Sequence, residues 1–219
     1  MPRHDSLASS QSLGTGLSFI VPSAGLRLHF AVHPGLLNPH LLSPAELIAR
    51  AHGADLLQFG HALVTLNTAL LVVVALHFMG VLAEGRGAWA GFISGAVAVL
   101  GLCLAADKGA LCLTMSSLNG LGDAEFAGMM PGLLAMFSLK GWMVLLWGIV
   151  LLPVGFGIQA VALLTTKALP RWQALLFLVG VLFIGVPDGI EVVNLTASIL
   201  LSIALVPYGA RLMLLSTEP

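Results

Sequence analysis

The chain has 219 residues, of which 58% are hydrophobic and 9% are charged, and its mean hydropathy is +1.01. A soluble domain carries roughly 25% charged residues, so this chain lacks the charge to cover a water-facing surface, and we expect most of its outer surface to face lipid. The formal net charge of −1 excludes a strongly basic surface, and we expect no nucleic-acid partner.

The first 53 residues are predicted to form an N-terminal tail outside the membrane. Residues 26–33 alternate apolar and mostly polar side chains, which is the period of a β-strand, and they follow the turn-like sequence Pro22-Ser23-Ala24-Gly25. We therefore predict a β-hairpin over residues 18–33 that lies on the membrane surface. Further on, Ser43, Pro44 and Glu46 have the pattern of a capping box with proline at the first helical position. This pattern predicts a short helix over residues 44–52.

Five later segments are apolar and long enough to cross a hydrocarbon core of about 30 Å, which takes roughly 20 helical residues. They cover residues 54–82, 88–106, 141–165, 172–186 and 190–213. The predicted fold is thus an all-α integral membrane protein, in which residues 54–219 form a bundle of about five transmembrane helices. With five crossings the two termini lie on opposite sides. The general character is that of small bacterial multi-span proteins, so we expect a multi-pass location in a bacterial inner membrane.

The region between the second and third spans is not predicted to cross the membrane. It contains a polar, glycine-containing stretch over residues 116–123 and then a semi-apolar segment that Pro131 interrupts. This pattern predicts an interfacial helix or a re-entrant segment, and Lys140-Gly141 marks the place where the chain enters the membrane again.

Ionisable residues near membrane depth are the natural candidates for function, because a charge in hydrocarbon is costly. The candidate polar intramembrane site consists of His61, Asp107, Lys108, Asp188, Glu191 and Asn194. The five-span arrangement places all of them towards the face that carries the tail. Glu191 and Asn194 begin a polar stripe on the last span, and His61 belongs to a similar stripe on the first. If the two stripes face each other, His61 and Glu191 form an acid–base or proton-relay pair.

A second interpretation of the same residues needs no function. Asp188 and Glu191 form a capping box at the start of a helix, after Pro187. Asp107 and Lys108 precede a glycine and mark a helix end in the headgroup region. The sequence leaves both interpretations open.

The histidines do not predict a metal site. On the predicted strand His29 and His33 share a face but stand about 13 Å apart, and the sequence contains no Cys-x-x-Cys motif, no Glu-x-x-His motif and no predicted helical His-x-x-x-His motif. Only the first span contains histidine, which excludes a bis-histidine haem within this chain. The sequence therefore leaves any cofactor unknown.

Gly87, Gly91 and Gly95 recur every four residues at the start of the second span. Such a bare ridge lets another helix approach closely, and we predict that it packs against one. The spacing does not say whether that helix belongs to this chain or to a neighbouring subunit.

Three function hypotheses follow, and the first is a non-catalytic membrane subunit. Such a subunit packs against other membrane proteins in the bilayer and positions or stabilises a larger complex, for example one that holds pigments or redox cofactors. The second hypothesis is a small-molecule or proton-coupled transporter, which needs a cavity between the polar stripes. The third is an intramembrane enzyme that uses His61, Asp107, Asp188 or Glu191. Because no catalytic motif occurs, we predict no catalytic residue and favour a non-enzymatic role.

Overall fold

The computed structural model describes residues 3–33, 35–83, 87–136, 139–184 and 190–215, which form helices and turns with no strand among them. The α-helices are α1 (Arg3–Ala31), α2 (Pro44–Ala51), α3 (Asp55–Val81), α4 (Ala88–Met115), α5 (Asp123–Met136), α6 (Leu139–Thr166), α7 (Arg171–Phe183) and α8 (Glu191–Leu215), with a 3₁₀ helix at Ser116–Gly120. Three segments are long and apolar enough to cross a membrane, namely Asp55–Val81, Ala88–Asp107 and Glu191–Leu214.

The predicted β-hairpin over residues 18–33 is wrong, because residues 18–31 belong to the long helix α1 and residues 32 and 33 continue from its end as a turn. The buried positions Ser18, Phe19, Pro22 and Ser23 recur with helical spacing. The two serine hydroxyls donate hydrogen bonds to carbonyl oxygens one turn earlier in the same helix, at 2.9 and 2.7 Å. These bonds satisfy polar groups that would otherwise be buried unpaired, so the small polar residues that indicated a turn fit inside a packed helix.

The short helix α2 was predicted correctly, together with its capping box. The Ser43 hydroxyl accepts a hydrogen bond from the Glu46 amide at 3.3 Å, and the Ser43 amide donates to Glu46 Oε2 at 2.7 Å. Gly53 then turns the chain into α3 with a positive φ of 71°, which glycine adopts at little cost.

Six helices form a closed ring in the order in which they occur along the chain, α1, α3, α4, α6, α7 and α8, and α8 packs back onto α1. Neighbours run antiparallel. In α1 and α8, for example, Gly16 lies against Gly209 near one end, and the Ser202 hydroxyl donates to the Ser23 carbonyl further along at 3.2 Å. The predicted bundle of five helices therefore has a sixth member, α1, which the sequence analysis had placed outside it.

The glycine ridge packs within this chain. A Cβ atom at Gly91 would lie 2.6 Å from Leu82 Cβ, and one at Gly95 would lie 3.1 Å from Met79 Cβ. Met79 lies in the last turn of α3, and Leu82 is the first residue after that helix. The bare ridge therefore lets α3 and α4 approach closely. The helix that packs against the glycine ridge thus belongs to this chain.

A layer of short helices lies at the end of the ring where α1 and α4 finish and α3 and α6 begin. In this layer Ile48 of α2 packs with Phe126 and Leu133 of α5, and the His52 ring stacks on Phe126 with a centroid distance of 3.9 Å. The Gly53 amide donates to Asn119 Oδ1 in the 3₁₀ helix at 3.2 Å. The layer corresponds to the segments predicted to lie outside the spans, although α4 continues past the predicted end at residue 106.

Candidate functional site

A histidine and a glutamate meet where the first and last helices of the ring come together. His33 Nε2 lies 3.6 Å from Glu191 Oε1. The side-chain amide of Asn194, one turn further along α8, donates to Glu191 Oε2 at 3.2 Å. Glu191 is only 3% exposed, so its carboxylate is bound by protein groups rather than by open solvent.

Two further histidines extend this pair towards α3. The ring centroid of His29 lies 6.0 Å from that of His33 and 5.0 Å from that of His61. His61 and Glu191 therefore do not face each other directly, because α1 lies between their helices and supplies the two imidazoles that connect them. We call His29, His33, His61, Glu191 and Asn194 the histidine–glutamate cluster.

Helical geometry explains why the cluster forms. Residues four apart share one face of a helix, so His29 and His33 lie about half as far apart as the strand interpretation predicted. Gly60 allows the close approach of α3, because a Cβ atom there would lie 2.7 Å from His29 Nδ1. The signal that was missed is the spacing His29-x-x-x-His33, which becomes meaningful only when residues 18–33 are recognised as helical.

The other predicted site residues lie apart from this cluster or outside the described residues. Asp107 is exposed on α4. Lys108 belongs to the same helix, but its side chain is outside the described part of the chain, as is the whole of Asp188. The structure thus brings His61, Glu191 and Asn194 of the predicted set together and does not bring Asp107 to them.

The cluster does not have the arrangement of a metal centre. Within residues 3–33, 35–83, 87–136, 139–184 and 190–215, no group of three or more histidine, cysteine, aspartate or glutamate side chains is positioned to hold a metal ion. It is instead a row of neighbouring polar side chains, in which Asn194 and Glu191 are joined by a hydrogen bond and the three imidazole rings are in contact.

An apolar cavity of about 170 Å³ lies inside the ring. Each of the six ring helices contributes to its wall, represented by Leu26, Thr68, Leu102, Pro153, Val181 and Leu201. The few hydroxyl groups in the wall are already bonded to backbone carbonyls of their own helices, as Thr68 is to Thr65 at 2.5 Å. The wall therefore presents hydrocarbon to whatever occupies the cavity.

The histidine–glutamate cluster lies beyond one end of this cavity, and none of its residues belongs to the cavity wall. Leu26 and Val64 line the wall, and His29 and His61 are each three residues further towards the cluster, which is about 4.5 Å along a helix axis. The cluster is thus about one helical turn beyond the last apolar wall residues of α1 and α3.

A second polar pair lies near the opposite end of the cavity. His77 Nε2 and the Tyr208 hydroxyl are 2.8 Å apart. The Phe19 ring, which belongs to the cavity wall, packs edge-on against both, with centroid distances of 5.5 and 5.1 Å. The sequence analysis had not selected either of these residues as a site.

No protein-family model, curated protein or solved structure matches this chain.

Proposed function

We propose that this chain is a multi-pass membrane protein that crosses the bilayer six times and carries a small, largely apolar molecule inside its helical ring. The outer surface supports the membrane location. All six ring helices expose large apolar side chains. Among these side chains, Leu66 is 74% exposed and Trp89 is 77% exposed. Apolar surface on every helix is typical of contact with lipid and is too extensive for a water-facing surface.

The observation that supports carriage is the apolar cavity to whose wall all six helices contribute. Apolar cavities of about 150 Å³ stay dry and accept molecules of the size of benzene. The cavity in this ring is slightly larger, at about 170 Å³. It therefore suits an apolar group of about six carbon atoms, either a whole small molecule or the end of a longer chain.

The direction of the helices also favours a carrier. α1, α3 and α4 form one half of the ring, and α6, α7 and α8 form the other, with every helix of one half antiparallel to its counterpart in chain order. Many carriers consist of two halves of opposite orientation, with the substrate between them. The predicted five-span topology had counted against such an arrangement, and a six-helix ring removes that objection.

The halves meet at two closely packed glycine contacts. A Cβ atom at Gly155 of α6 would lie 2.6 Å from Ala98 Cα of α4, and one at Gly209 of α8 would lie 2.6 Å from the Gly16 carbonyl oxygen of α1. Such smooth surfaces allow two packed halves to slide with small changes in side-chain packing. These contacts are where we place the movement that opens the cavity.

The subunit hypothesis remains a prediction with less support than the sequence had provided. The glycine ridge and the tail helix, which motivated it, pack inside this chain. The layer of α2 and α5, where Met129 is exposed, offers one surface to a protein partner. The mass of the particle extracted from its native membrane tests this hypothesis, since a subunit would be recovered with its partners in fixed proportion.

Photolabelling tests the carrier proposal. A six-carbon alkyl diazirine is added to the protein in lipid nanodiscs and activated by light, and the labelled residues are located by mass spectrometry. We expect labelling of cavity residues such as Leu26 and Leu201, and we expect excess hexane to suppress it because the cavity holds a limited number of molecules.

A matched pair of variants controls for labelling from the lipid side. Val181, 2% exposed, lines the cavity, and Val179, 39% exposed, lies two residues away on the outer face of the same helix. Val181→Phe fills part of the cavity and should reduce labelling of the wall residues several-fold, whereas Val179→Phe should leave it unchanged. Labelling restricted to outward-facing residues, or equal labelling in both variants, contradicts the proposal.

A further inference from the structure

The histidine–glutamate cluster is placed to contact one end of a molecule that occupies the cavity. Leu26 and Val64 form the apolar wall, and His29 and His61 follow about one turn later on the same two helices. A ligand whose apolar part fills the cavity would therefore bring its other end to these imidazoles.

Apolar side chains could close the ring at this end as well as polar ones do. A buried ion pair can often be replaced by apolar residues of similar volume without loss of stability. Glu191 and His29 are 3% and 7% exposed, and burying such groups is costly. Ionisable residues buried inside a membrane protein often mark a functional site, and the nearby cavity is the reason why we assign ligand binding to this one.

The charges of the cluster restrict the chemistry of the ligand. An anionic head group would stand beside the Glu191 carboxylate and be repelled by it. A cationic head group would compete with His33, whose Nε2 atom already lies 3.6 Å from that carboxylate. A neutral imidazole offers one hydrogen-bond donor and one acceptor, and a hydroxyl group offers the same combination.

We infer that the molecule in the cavity has a neutral, hydrogen-bonding head group, as an aliphatic alcohol has, and that His29 and His61 bind this head group. The inference rests on the proposed carrier function, since it assigns the substrate class of the same cavity. The cavity should therefore bind an alcohol more tightly than a hydrocarbon, a carboxylate or an amine with the same carbon chain.

Competition against the alkyl diazirine tests this selection. Hexane, 1-hexanol, hexanoate and hexylamine are each added to the protein in nanodiscs, and their concentrations in the lipid phase are measured so that partitioning is taken into account. One hydrogen bond corresponds to a factor of about ten at most in affinity. We therefore expect 1-hexanol to halve the labelling at a several-fold to tenfold lower concentration than hexane, with hexanoate and hexylamine weaker than 1-hexanol.

Variants of the cluster identify the groups responsible. His61→Leu should abolish the advantage of 1-hexanol over hexane and leave competition by hexane unchanged. His40→Leu is the control, because His40 lies in an exposed connection away from the cluster. If His61→Leu fails to fold, His29→Gln tests the same point, and the order of the four competitors in the unaltered protein tests the inference without any variant.

The outcomes separate the two proposals. Without saturable labelling of the cavity, the carrier proposal fails and the inference fails with it. If the cavity is labelled but hexane competes as well as 1-hexanol, or if hexanoate or hexylamine competes best, the inference is overturned while the carrier proposal stands. An advantage of 1-hexanol that survives in both histidine variants also overturns the assigned role of the cluster.

Discussion

His33 Nε2 lies 3.6 Å from Glu191 Oε1, and this contact joins the end of the first helix of the ring to the first residue of the last. His33 follows the end of α1 at Ala31, and Glu191 begins α8. The same two residues connect the ring closure to the candidate site, because His29 and His61 continue from His33 across α1 to α3.

The His33–Glu191 contact should be measurable as an energetic coupling. We expect His33→Ala and Glu191→Ala each to lower the free energy of unfolding by about 1–3 kcal/mol, because each removes one member of a largely buried polar contact. The double variant should lose less than the sum, with a coupling of about 0.5–3 kcal/mol. Unfolding in mixed micelles gives the free energy of unfolding of the unaltered protein, the two single variants and the double variant.

The matched control is a cycle between Glu191 and His40, an exposed histidine that lies away from Glu191. Its two changes should be additive within about 0.5 kcal/mol, as is usual for distant sites. Additivity in the His33 cycle as well would show that the contact contributes nothing to ring closure.

A pair of glycines tests whether α1 packs against α8. A Cβ atom at Gly16 would lie 2.6 Å from the Gly209 carbonyl oxygen, whereas one at Gly14 would meet nothing within 4 Å. Gly16→Ala should therefore destabilise the protein by about 1–3 kcal/mol through overpacking. Gly14→Ala should instead stabilise it by up to about 1 kcal/mol, because alanine favours a helix interior.

The two alanine variants are compared by thermal unfolding in the same detergent. The two positions are two residues apart on one helix and carry the same substitution, so general effects of the substitution cancel. If α1 does not pack against α8, the two substitutions should change the thermal stability equally. That result would contradict the closure of the ring by α1 and α8.

Acid should weaken the start of α2. Hydrogen bonds from the Ser43 side chain, then from its backbone amide, hold the pKa of Glu46 below its ordinary value of 4.5. The stabilisation that this provides is fully present above pH 4.5 and is lost as the pH falls through the lower pKa of the folded state. Amide exchange in residues 44–51, corrected for the intrinsic rate, should therefore lose protection as the pH falls below the ordinary glutamate pKa of 4.5.

Glu46→Gln provides the control, because glutamine does not titrate. Protection of α2 in this variant should stay constant between pH 6 and pH 3. The same acid-induced loss in the variant would assign the effect to another group.

If each of the six ring helices crosses the membrane, as we propose, both termini lie on one side of it. We expect short peptide tags at the two ends of the chain to react with an impermeant reagent from the same side in oriented vesicles. Five crossings, as the apolar segments alone predict, would put them on opposite sides.

The sequence predicted the apolar helices well, because each has a long run of residues that can be stable only when packed or in lipid. The segments at 54–82 and 190–213 agree with α3 and α8 to within two residues. The capping box of α2 was also recognisable, since its hydrogen bonds are local and depend on residues three apart in the chain.

The first helix could not be identified by the same reasoning. α1 contains Pro22, Arg27 and several serines, so its composition resembles a turn-rich tail more than a bundle helix. Its polar groups are satisfied through hydrogen bonds to its own carbonyls and to α8. Those bonds exist only in the assembled ring, so the local pattern does not reveal them.

The candidate site stays a prediction, and its geometry differs from the one that the sequence indicated. The polar stripes on α3 and α8 drew attention to His61 and Glu191, but not to α1, which lies between their helices. Because the cluster and the cavity both depend on α1, neither was derivable while residues 18–33 were interpreted as a hairpin.

The central claim is that six helices surround an occupied apolar cavity, and a crystal structure grown from a lipid mesophase tests it most directly. We predict that α1 lies between α3 and α8 with His29 against His61, and that non-protein density fills the ring from Leu26 towards Phe177. A structure in which α1 lies outside the ring, or in which side chains close its centre, would contradict the account.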